Sequence, residues 1–146
     1  MTSKPKHLHP VKNRNAIEKF IIDLLFEKPP KLTGATAETG AFNAVTKSKV
    51  TKRITAILNK ASNAKIGVTG DTEVRMDAID YRTQFDLVER VYKTKSPQFA
   101  KDMEVYMIKK FKVSHPDIVI NKSEIPAVRL ITYNTFHYVY VVYNPK

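Results

Sequence analysis

The chain contains no cysteine, which excludes a disulfide framework and any thiolate metal site. Long apolar runs are missing too. None approaches the roughly 18 residues of a membrane span, and the polar N-terminus has no signal-peptide core. A soluble protein is expected, cytoplasmic or made in a host's cytoplasm or nucleus by a virus or mobile element, with no membrane partner. Acidic residues are the third shortage, 14 against 25 Lys plus Arg, and the net charge of +11 asks for a polyanionic partner, most simply nucleic acid. Ribosomal and membrane-surface proteins share that bias. At 146 residues the chain can hold one domain with a true core, or a small domain with an appendage.

Most of the positive excess lies ahead of residue 64. Residues 1–14 form a basic, proline-containing tail (Lys4, Lys6, Lys12, Arg14). His7 and His9 within it read either as a metal pair or as part of an unstructured segment. Residues 15–63 read as a helical region packed on or appended to the core. Asn15 to Glu18 looks like a capping box, and Ile17, Phe20, Ile21, Leu24 and Leu25 recur at helical spacing until Pro29-Pro30 stops the run. Residues 31–40 read as a small-residue linker. A second helix is expected from about Ser48 to Ala61, with Val50, Ile54, Ile57 and Leu58 on one face and Lys49, Lys52 and Arg53 largely elsewhere. Residues 42–61 permit two readings: a helix-turn-helix whose recognition helix meets DNA through those cations, or a core helix with a solvated outer face.

From Ala64 the pattern changes. Ala64 to Val68 reads as a short apolar strand that breaks at Gly67 and Gly70, and Asp71 or Thr72 can cap a helix over 73–79 that carries Arg75 beside the strand's end. Phe85 to Tyr92 reads as a partly exposed strand. Ser96-Pro97 is a favoured helix entry, and the helix should run to about Lys112. On that helix Glu104 falls within the apolar arc of Met103, Met107, Phe111 and Ile108. A carboxylate there must be compensated, either by a buried ion pair with Arg75 or by a divalent metal. Arg129 to Tyr133 and Phe136 to Tyr143 read as strands around Asn134-Thr135, a plausible hairpin. The fold class expected is α+β: a small central antiparallel sheet flanked by helices, with residues 64–146 as the core.

The order of strand, glycine turn, Arg75 and then Glu104 resembles the GIY-YIG nuclease superfamily. Asp117 to Asn121 stands where that family often has an apolar residue and an asparagine. The family's first strand has no counterpart before Ala64. Tyr138 to Asn144 carries its pattern instead, with Tyr140 at the tyrosine of "GIY", which resembles a circularly permuted domain. An ordinary tyrosine-rich hairpin is the other reading. The likeness covers residues 64–121 and, out of order, 138–144. Two positions depart from it: Lys65 replaces the "YIG" tyrosine, and the histidine or tyrosine after the arginine is replaced by Met76, Asp77 or the more distant Tyr81.

What the resemblance implies is metal-dependent cleavage of DNA, most simply double-stranded. Glu104 would hold Mg²⁺ or Mn²⁺, and Arg75 would neutralise charge on the phosphoryl oxygens. Tyr140 would position or deprotonate water, Lys65 would stand in for the lost tyrosine, and Asn121 would support the glutamate or the phosphate. Lys49, Lys52, Arg53 and Asn121 are the expected nucleic-acid contacts. Two other classes stay open: a nucleic-acid-binding module without cleavage, and a viral accessory protein that binds a host partner.

Overall fold

A computed structural model describes residues 27–122 and 135–146. Four strands form one mixed sheet in the order β1-β3-β4-β2, and four helices flank it. The strands are β1 (Lys31–Leu32), β2 (Ala61–Thr69), β3 (Leu87–Thr94) and β4 (His137–Pro145). The helices are α1 (Ala44–Asn59), α2 (Thr72–Met76), α3 (Ile79–Gln84) and α4 (Pro97–Ser114). Among the described residues no helix is long and apolar enough to cross a membrane.

The last strand in sequence is a central strand in space. Tyr138 to Asn144 is rich in β-branched and aromatic residues, and β4 lies antiparallel between β2 and β3. The expected pairing of the C-terminal strand with residues 64–68 is therefore the pairing observed, with Ile66 opposite Val141 and Gly67 opposite Tyr140. The partner strand of the expected hairpin, Arg129 to Tyr133, lies outside the described residues. So do the basic tail, both of its histidines, and most of the first helix.

The sheet's other edge on β2 is closed by the chain itself. Ala64 donates its N–H to the Ile118 carbonyl at 2.8 Å and accepts from the Ile120 N–H at 2.9 Å. Asn121 continues the line with its side chain, so the strand is not left with a row of free edge groups.

Alternation divides the core by face. Val139, Val141 and Tyr143 of β4, with Ala64, Ile66 and Val68 of β2, meet Val50, Ile54, Ile57 and Leu58 of α1 and Met103, Met107, Ile108 and Phe111 of α4. Tyr140 and Val142 face the other way, against Met76, Tyr81, Phe85 and Val88. α1 packs on the same core as β2, and β2 begins at Ala61, three residues ahead of the expected start at Ala64.

Several boundaries move for local reasons. α1 begins at Ala44, because the Asn43 side chain accepts from the Thr46 N–H at 2.9 Å and so caps it there; the helix ends at Asn59, where β2 takes over. Residues 42–61 thus form one continuous helix followed by a strand, not a helix-turn-helix. Residues 31–40 are not a linker: Lys31 and Leu32 pair parallel with Leu87 and Val88, and Glu38 bridges Tyr92. α2 stops at Met76 and a separate α3 follows, instead of one helix to Ile79. α4 enters as expected, with the Ser96 hydroxyl capping Phe99 and Pro97 in the first turn.

Candidate functional site

The site is built around Gly67. On the strand it faces Tyr140 of β4, and a Cβ added at Gly67 would collide with the Tyr140 phenol. Only a residue without a side chain lets that ring lie across the neighbouring strand. The Tyr140 and Tyr81 hydroxyls are 2.8 Å apart and buried, their residues being 1 % and 2 % exposed. Their rings meet edge to face at 5.9 Å between centroids. Tyr81 is delivered by α3.

Arg75 reaches the same place from α2. Asp71 caps that helix by accepting from the Val74 N–H, which sets the direction in which Arg75 projects. The Arg75 guanidinium lies 4.0 Å from the centre of the Tyr81 ring and pairs with Asp80 at 3.5 Å. Burial works against its charge, but Tyr140, Tyr81 and Asp80 together outweigh it, so Arg75 stays firmly protonated. Its Nε is buried with no hydrogen-bond partner. Lys65, two residues before Gly67 and on the same face of β2, places its ammonium 5.5 Å from the same ring. Arg75 and Lys65 are both partly exposed, so an anion arriving from solvent meets these cations before the tyrosines.

Glu104 approaches from α4, in the opposite layer. It is 5 % exposed, and its Oε1 has no hydrogen-bond partner. Burial pushes its carboxyl up to about 7, while Lys65 pulls the other way. The charge of Glu104 is felt at both Tyr81 and Tyr140. The ion pair expected between Arg75 and Glu104 is not formed; Arg75 pairs with Asp80 instead. Burial holds the Tyr140 hydroxyl well above its ordinary range and raises Tyr81 as well. At neutral pH both tyrosines keep their protons.

Four expected residues, Lys65, Arg75, Glu104 and Tyr140, thus come into one electrostatic neighbourhood, and Tyr81 joins them. Tyr81, the more distant of the residues weighed for the position after Arg75, meets Arg75 through its ring and Tyr140 through its hydroxyl. Asn121 does something else. Its amide accepts from the Ile66 N–H at 2.9 Å and donates to the Ile66 carbonyl at 2.8 Å, so both ends are committed to holding β2 in place and neither is turned to a phosphate. Arg53 is likewise committed, to Glu38 and Glu89 at 2.9 Å each and to the Thr36 carbonyl. Lys49 and Lys52 are exposed on α1, in the layer opposite the tyrosine pair.

Among the described residues no three His, Cys, Asp or Glu side chains converge on a possible metal position. Glu104 would act as a single carboxylate ligand, an arrangement that suits Mg²⁺, which keeps several waters and shares its remaining sites with phosphate. The unpartnered Oε1 is compatible with that role. No protein-family model, no curated protein and no solved structure matches the chain.

Proposed function

We propose that this protein is a metal-dependent endonuclease that cleaves phosphodiester bonds of DNA, built as a circularly permuted relative of the GIY-YIG nucleases. One observation carries the reading: a donor, Arg75 Nε, on a guanidinium stacked over Tyr81, and an acceptor, Glu104 Oε1, on a carboxylate whose charge acts on both Tyr81 and Tyr140, are each buried without a partner. Unsatisfied buried groups of opposite kind are costly unless a ligand completes them. A phosphate oxygen would complete the first and a cation the second.

Arg75 would bind the phosphoryl oxygens with its planar fork and neutralise charge as it develops there. Lys65 would add a second positive charge on the solvent side. The Tyr81–Tyr140 pair would hold and orient the attacking water, with its protons in place. Mg²⁺ or Mn²⁺ bound at Glu104 would supply positive charge to the leaving oxygen. Because the Glu104 proton must leave first, ion binding should strengthen as pH rises through about 7. Such a protein would work in a cytoplasm, or in a host nucleus if it is viral.

The burial of both tyrosine hydroxyls favours a second reading, a DNA-binding protein that has kept the arrangement without cleavage. Supercoiled plasmid incubated with the protein and Mg²⁺, then with EDTA, separates the two. Nicking that EDTA abolishes supports the nuclease. A salt-sensitive gel shift without nicking selects the binding protein.

A further inference from the structure

From Tyr140 the β4 strand runs back to Tyr138, which alternation keeps on the same face, and Phe136 stands immediately ahead of the strand's first residue, His137. β3 supplies cations to the same face. Arg90 is opposite Tyr140 and Lys93 opposite Tyr138, although three residues separate them, because a bulge between Arg90 and Tyr92 absorbs one residue and re-aims the strand. Val91 and Tyr92 turn into the core on the other side. Each ring therefore carries a cation: Arg90 lies 4.8 Å from the Tyr138 ring centre, and Lys93 and Lys95 lie 4.1 Å and 5.8 Å from that of Phe136. The stripe ends in a cleft of about 360 Å³ between Phe136 and Phe99, with Lys93 and Lys95 on its wall. Phe99 is 37 % exposed there, an aromatic left at the surface on the first turn of α4.

Aromatic faces interleaved with Lys and Arg are the chemistry that holds single-stranded nucleic acid, bases on rings and phosphates on cations. Spacing favours a single strand over a duplex. Along β4 itself rings two residues apart, as at Tyr138 and Tyr140, stand about 6.8 Å from each other. That is roughly twice the 3.4 Å rise of a stacked duplex strand, so the stripe suits bases splayed one to a ring. The cleft lies near the lower end of small-ligand sites, roughly 300–1,000 Å³, and offers room for one base.

We infer that the β4 face from Tyr138 to the Phe136–Phe99 cleft is a binding track for a single-stranded segment of the nucleic acid, leading away from the Arg75 and Tyr140 site. This rests on the proposed function for what happens at the site, not for the track itself. The substrate it implies is DNA with a single-stranded portion beside the scissile bond.

The test uses the full chain in EDTA, with a fluorescent oligothymidylate and, separately, a blunt duplex of equal length. Tighter binding of the single strand is expected. Phe136→Ala should weaken it about ten-fold or more, the scale of losing one base stack, with the duplex affected little. Lys93→Gln with Lys95→Gln, two surface changes that leave the core intact, should lower the salt slope for the single strand. Equal loss on both probes, or no loss in either variant, would overturn the track. Mg²⁺-dependent nicking that survives alongside such a result would leave the nuclease reading standing, and a functioning track without nicking would remove that reading alone.

Discussion

The two faces of the sheet are built to different standards. Against α1 and α4, β2 and β4 present aliphatic and aromatic side chains to two long helices; Glu89 on that side is matched by Arg53, while Glu104 of α4 and His137 of β4 keep buried atoms without partners. Against α2 and α3, the same strands present Lys65, Gly67 and Tyr140 to two helices of 5 and 6 residues, and a buried Arg75 atom goes without a partner. Short helices add little packing of their own. Unpaired polar atoms cost stability, and proteins keep such costs where a ligand is to be met. The first face holds the larger core, and the second holds the paired tyrosines with Arg75 and Lys65 around them.

β4 belongs to both faces, so removing it gives the largest effect. Truncation after Asn134 should abolish the cooperative thermal transition altogether, because a central strand goes and both cores open. A truncated protein that still melts cooperatively would show that β4 is an addition rather than the middle of the fold.

On the closed face, Arg53→Ala strips the partner from Glu89, which is 7 % exposed, and should cost about 3 kcal/mol, the low end for an abandoned buried charge. Denaturant unfolding measures it. DNA affinity should barely change, since Arg53 is spent within the fold; a large loss of affinity with little loss of stability would return Arg53 to the nucleic-acid interface.

On the site face, Gly67→Ala forces the Tyr140 ring aside and should cost about 2 kcal/mol, the scale of an overpacked contact. Unchanged stability would mean that the ring has room to move.

Glu104→Gln works in the other direction and only in one pH range. Folding raises the Glu104 carboxyl from 4.5 to about 7. Between those values the folded state holds a proton that the unfolded chain has lost, so stability falls as pH rises through the window and the penalty is complete above it. Without metal, the glutamine variant should therefore nearly match the wild type near pH 4.5 and be more stable by roughly 3 kcal/mol at pH 8. Equal pH profiles would mean that Glu104 is solvated or paired.

Sequence periodicity exposed the long elements and the anomaly among them. A carboxylate inside the apolar arc of α4 is legible because helical spacing alone sends it inward, and Ser96-Pro97 marks the helix start through local chemistry. The strand pattern of Tyr138 to Asn144, together with a β2 that lacked any earlier partner, was enough to expect their pairing. Other features were not legible because their causes are distant in sequence. β1 is two residues long and exists only because Leu87 and Val88 are there to pair with it. Arg53 reads as a surface cation until Glu38 and Glu89 arrive from elsewhere. α3 is too short for a period, so Tyr81 looked remote from Arg75 until the chain turned between them and stacked one on the other. Asn121 stood at the expected position, but its work on the Ile66 backbone is a matter of geometry that spacing cannot convey.

The most direct measurement of the proposed cleavage centre, in which Glu104 acts from the layer opposite Arg75 and the tyrosine pair, is supercoiled-plasmid nicking in Mg²⁺ by the wild type and by Glu104→Gln, both first confirmed as folded by circular dichroism. The wild type should nick and the variant should not, although it binds the plasmid as well and melts no lower. Nicking by the variant at the wild-type rate would contradict a nuclease centre at Glu104.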